Sequence, residues 1–199
     1  GDHDPPDDVA AALLGDSTYD RLRVTRYRLF DQSVPRKLTL QGLVFAALAL
    51  VYPLASTMPA STRAMFAGGD PLASTPKILL LGAWAGAIET TAALGLVYVG
   101  VSLHRNRGDL DERQARHLLT VEDVASMVAL VTGAVAVLLL DGFFLLGHAG
   151  PNAIATFLEA GGQNPYAATP IPVTVPGIAV PAAVLPVVLL GLGQALPRL

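Results

Sequence analysis

The chain has 199 residues, of which 52% are hydrophobic and only 15% charged, and its mean hydropathy is +0.51. That composition is far from a soluble domain's and assigns the chain to a bilayer. The lack of cysteine excludes disulfides, Cys-ligated zinc, iron–sulfur clusters and thiol catalysis, and the net charge of −3 hides a very uneven spread of basic residues.

Residues 1–37 divide into an acidic tail, GDHDPPDD, and a basic juxtamembrane stretch, STYDRLRVTRYRLFDQ. Ser17 and Asp20 suit a helix cap, and Tyr19, Leu22, Leu29 and Phe30 gather on one side of that helix. Val24 and Tyr27 fall elsewhere, so arginines that fix orientation are favoured over an amphipathic helix lying on an anionic inner leaflet.

A four-span membrane domain, 38–199, follows. Crossing about 30 Å of hydrocarbon at about 1.5 Å per residue takes about 20 residues. Four apolar runs are long enough, at 38–57, 77–103, 123–148 and 176–196. Thr120 with Asp123 forms a capping pattern and Glu122 adds charge at the positive end of the helix dipole, so the third span is expected to start near 121. Between the third and fourth spans, NAIATFLEA reads as a short helix stopped by Gly161 and Gly162. The Pro-rich NPYAATPIPVTVP after it suits the membrane surface or a partner. Pro181 and Pro186 each remove a backbone donor, which predicts a bend in the fourth span.

Basic residues set the orientation. Six precede the first span (Arg21, Arg23, Arg26, Arg28, Arg36, Lys37) and four lie between the second and third (Arg105, Arg107, Arg113, Arg116). The 58–76 connection holds only Arg63, with Lys77 at a helix boundary, and 149–175 holds none. The positive-inside rule then makes both termini cytoplasmic in a multi-pass cell-membrane protein. Basic side chains this close to a membrane give no reason to invoke nucleic acid.

The informative stretch is GAWAGAIETTAALG, 82–95, which sets Glu89 inside the second span. Positions 82, 85, 86, 89, 92, 93, 96 and 100 form one helical stripe of mostly small residues, so Glu89 looks into a close helix contact, with Gly82, Gly86 and Ala93 as interface positions. Leu81, Trp84, Ile88, Leu94 and Tyr98 face the other way, toward lipid or a bulkier subunit. Asp141 is the second intramembrane carboxyl, expected at a depth within several ångströms of Glu89, and His148 lies on its face at the outer boundary.

Ionisable groups in a span are costly unless paired, neutral or facing water. One reading uses Glu89 and Asp141 as alternating acceptors in a proton or cation step, with His148 at the outer mouth. The plainer reading is a carboxyl that bonds a neighbouring hydroxyl or carbonyl across a packed interface. There is no basic partner within the spans, no internal repeat and no half-helix substrate site of the kind transporters show. Paired haem-ligating histidines within the spans are missing too, because His104 and His117 sit at one side and His148 at the other. Hydrolase, kinase, metalloprotease and dinucleotide motifs are absent. No catalytic residue, metal or cofactor is therefore expected. The expectation is an all-α accessory subunit of a larger membrane complex, with respiratory or energy-transducing assemblies the class considered and other membrane subunits as partners. A proton- or cation-translocating component stands second, a small intramembrane enzyme third.

Overall fold

A computed structural model of the chain describes residues 18, 19, 22, 32–106 and 110–195. The acidic tail and most of the basic juxtamembrane stretch lie outside the described residues. The described part is all helical apart from connections: α1 (Val34–Ala49), α2 (Val51–Ser56), α3 (Ala60–Arg63), α4 (Ile78–Arg105), α5 (Glu112–Met127), α6 (Ala134–His148), α7 (Pro151–Glu159) and α8 (Val175–Ala195). A π-helical turn, Val128–Gly133, joins α5 to α6. Four helical stretches are long and apolar enough to cross a membrane: Val34–Ser56, Ile78–Arg105, Glu112–His148 and Val175–Ala195. These form a multi-pass, up-and-down bundle.

The third span departs most from expectation. It starts at Glu112, not near 121, because Asp111 and Gln114 make a reciprocal capping box: the Gln114 N–H donates to Asp111 Oδ1 at 2.7 Å and the Asp111 N–H to Gln114 Oε1 at 3.3 Å. Thr120 lies inside the helix, and its hydroxyl donates to the Arg116 carbonyl at 2.9 Å. At about 1.5 Å per residue the 37 residues from Glu112 to His148 measure about 56 Å, well beyond about 30 Å of hydrocarbon. The first turns therefore project past the apolar layer, where the exposed Glu112 and Arg116 pair on one face.

The first and fourth spans share the most extensive contact, and the second touches all the others. Small residues set the close approaches. A Cβ on Gly82 would come within 2.8 Å of Leu140 Cδ2 and 3.0 Å of Ile178 Cδ1, and one on Gly193 would lie 3.1 Å from the Pro35 carbonyl. The latter contact places the start of the first span beside the end of the fourth. Pro181 and Pro186 lie within α8, which stays helical from Val175 to Ala195.

At the opposite end, α7 closes as the sequence suggests. Gly161 takes φ +93°, the Gly161 N–H donates to the Leu158 carbonyl and the Gly162 N–H to the Phe157 carbonyl, both at 3.0 Å, a Schellman stop. The Pro-rich stretch does not lie free for a partner along its whole length. It folds back on the 74–78 connection, where Pro76 and Ala168 form an antiparallel bridge. The Lys77 N–H donates to the Ala167 carbonyl at 2.8 Å and the Thr169 N–H to the Thr75 carbonyl at 2.9 Å. Pairing satisfies backbone groups that a buried loop would otherwise leave unmade.

Candidate functional site

The second span buries Gly82, Ala85, Glu89, Ala92, Ala93, Leu96 and Gly100 and leaves Trp84, Leu94 and Tyr98 more than half exposed. Glu89 is fully buried. Its carboxyl packs against Gly133, the last residue of the π-helical turn: a Cβ there would lie 2.8 Å from Glu89 Cδ and 3.1 Å from Cγ. A π turn offsets the helix by part of a turn and often marks a functional position. Here it presents a residue without a side chain to the carboxyl. Gln41 of the first span donates its amide to the Glu89 backbone carbonyl at 2.8 Å. Among the described residues neither Glu89 carboxyl oxygen has a hydrogen-bond partner, nor does Gln41 Oε1.

Asp141 does not share this level. It lies eight residues beyond Gly133 on α6, about 12 Å along the axis at about 1.5 Å per residue. The buried residues of the third span between them are aliphatic, Ala136, Val137 and Leu140, with Leu140 set against Gly82 of the second span. Asp141 is 9% exposed, and its Oδ1 has no partner among the described residues. His148 lies about two turns further out on the same helical face. Its Nδ1 donates to the Phe144 carbonyl at 2.9 Å, which leaves Nε2 3.1 Å from the Thr57 hydroxyl. The expected trio is therefore split, with Glu89 at one depth and Asp141 with His148 toward the other end.

The structure adds a cluster that the sequence reading missed. Lys37 and Glu122, both fully buried, meet at 2.6 Å between Lys37 Nζ and Glu122 Oε1. The Tyr19 hydroxyl donates to the other oxygen of Glu122, and the Ser126 hydroxyl donates to the Glu122 carbonyl at 2.6 Å. Both carboxylate oxygens of Glu122 thus have donors, which a buried ion pair needs to offset its desolvation. Lys37, Leu38, Gln41, Gly42, Phe45 and Leu48 recur at helical spacing on the buried side of the first span, so the lysine and the glutamine sit one above the other. From the basic end inward the polar groups run Tyr19, Glu122, Lys37, Gln41 and the backbone at Glu89, where the apolar layer begins.

A signal for this cluster was present. Glu122 falls on the stripe of Ala115, Leu118, Leu119, Ala125 and Ser126, all buried. Reading it as a helix-terminal charge depended on starting the helix nine residues too late. Among the described residues no three His, Asp or Glu side chains gather as a metal site would require. No protein family, curated protein or solved structure matches the chain.

Proposed function

We propose that this chain is a non-catalytic subunit of a larger membrane protein complex, oriented with both termini on the cytoplasmic side. The observation that carries the reading is the aliphatic buried face of the third span, Ala136, Val137 and Leu140, between Glu89 and Asp141, with Leu140 set against Gly82. A proton or cation relay needs polar groups or water at hydrogen-bond spacing, and the aliphatic residues that the third span buries over about 12 Å between Gly133 and Asp141 offer no polar side chain. The polar groups at the basic end bond to one another across three segments of the chain, as polar groups that hold membrane helices together do. Purification in mild detergent with mass spectrometry of co-eluting chains tests this. Stoichiometric membrane partners are expected; a lone protein that moves protons or cations when reconstituted in liposomes overturns it.

One observation favours a translocating component as second reading: the buried Glu89 carboxyl, with no donor on either oxygen among the described residues, set against a π-helical turn. Glu89→Gln separates the two. An amide keeps the shape of a neutral carboxyl and cannot release a proton, so a subunit keeps its assembly and its complex's activity. A relay keeps assembly and loses turnover.

A further inference from the structure

Two concavities meet at His117 on the flank between the second and third spans. One is apolar, about 600 Å³, lined by Trp84, Ile88, Ala92, Gly95, Val121 and Val128 besides His117. The other, about 380 Å³, is lined by Tyr98, Ser102, Asn106, Arg113 and Gln114 together with His117. The first follows the third helical stretch from His117 to Val128, eleven steps of about 1.5 Å or about 16 Å. That is close to half of about 30 Å of hydrocarbon, the depth of one leaflet. The second opens where the apolar run of α4 gives way to the polar connection.

Arg113 is the only permanently charged side chain among the described residues that line the polar concavity; Glu112, engaged by Arg116, and Asp111, which caps its own helix, lie outside its lining. Among the described residues no carboxylate pairs with Arg113, which is exposed. Arg113 is a fork of donors suited to a phosphate, and Asn106, Ser102 and His117 add polar groups within the same concavity.

We infer that this double groove binds one anionic phospholipid of the leaflet at the basic end, with its phosphate at Arg113 and an acyl chain along Gly95, Ala92 and Ile88. A free anion would leave the apolar groove unfilled. An apolar partner helix would leave the polar concavity around Arg113, Ser102 and Asn106 unfilled. An amphiphile with an anionic head and a leaflet-long tail satisfies both halves.

Native mass spectrometry of the full chain in detergent, titrated with phosphatidylglycerol or phosphatidylcholine of identical acyl chains, tests the site. Phosphatidylglycerol adducts should form at lower lipid concentration. Arg113→Gln should weaken phosphatidylglycerol binding about tenfold, the worth of a charge-assisted contact. Ala87→Trp, at an exposed position on the groove wall, should weaken both lipids, and Arg63→Gln at the far end neither. Unchanged helicity and melting by circular dichroism confirm that the exposed substitutions leave the fold intact. Equal binding of the two lipids, no effect of Arg113→Gln, or displacement of the lipid by soluble glycerol phosphate as effective as by phospholipid would each overturn the assignment.

Discussion

The two ends of the bundle are closed by different chemistry. At the basic end a fully buried Lys37–Glu122 pair, with Tyr19 on the second carboxylate oxygen, ties the first and third spans. At the other end neutral groups do the same task. The Thr62 hydroxyl donates to the Gly147 carbonyl at 2.7 Å, the Tyr166 hydroxyl to the Phe143 carbonyl at 2.5 Å, and Phe66 stacks on Tyr166 with ring centroids 4.6 Å apart. Removing one neutral bond among several costs about 0.5–1.5 kcal/mol, whereas removing half of a buried ion pair strands a charge. The first end concentrates its stabilisation in one contact; the second spreads it over many.

That contrast breaks most sharply at Lys37. Lys37→Met should destabilise the bundle by about 3–5 kcal/mol, the usual penalty for leaving an uncompensated buried charge. Adding Glu122→Leu should recover most of the loss, since paired replacement of a buried ion pair by apolar residues is often close to neutral. Unfolding of both variants in the same detergent decides the matter. If the double variant is no more stable than the single, the charge pair is not what closes this end.

The middle of the bundle, where Glu89 faces Gly133, should respond less. Gly133→Ala puts a methyl into the carboxyl's space and should cost about 1–3 kcal/mol, as overpacking does. In a Glu89→Ala background the same change should cost almost nothing, because the clashing group is gone. A Gly133→Ala penalty that persists in that background assigns it to the π turn itself.

Gly82 and Gly86 separate a tight contact from a loose one on the same stripe. A Cβ at Gly82 meets Leu140 at 2.8 Å, whereas one at Gly86 meets only Leu48 Cδ2 at 3.6 Å, ordinary contact. Gly82→Ala should therefore lower the melting midpoint in detergent and Gly86→Ala leave it unchanged; equal effects would show that the second span adjusts freely.

The sequence was most legible where one physical signal acted alone. Four spans follow from hydropathy and length, and the buried stripe through Glu89 follows from helical spacing, because nothing competes with these in an apolar run. Reading failed where two signals overlapped. Thr120, with Asp123 three residues on, resembles a cap, and a helix started there makes Glu122 a terminal residue, whereas the capping box of Asp111 and Gln114 starts the helix earlier and buries it. Lys37 was hidden in the same way, since a lysine at a span boundary serves the positive-inside rule whether or not it also turns inward. The relative depth of Glu89 and Asp141 was illegible for another reason. It depends on how far the third helix projects beyond its neighbours, and neither that nor a π turn leaves a pattern in hydropathy.

Tyr166 tests the neutral end and should show the smallest effect. Burial pushes its phenol from an ordinary 10.0 up to about 12, since the phenolate would be desolvated. The raised folded value means that the stabilisation is fully present below about pH 10 and is lost as pH rises toward about 12. Tyr166→Phe removes one hydroxyl-to-carbonyl bond and keeps the ring against Phe66, so at neutral pH it should cost about 0.5–1.5 kcal/mol. The variant should also lose less stability than the parent between about pH 10 and 12, because it has no phenol to ionise at this site. Chemical unfolding in detergent at pH 8 and pH 11 measures both quantities on the same samples. If the two proteins lose stability in parallel over that interval, the Tyr166 hydroxyl is open to solvent and this end is held by its backbone pairing and packing alone.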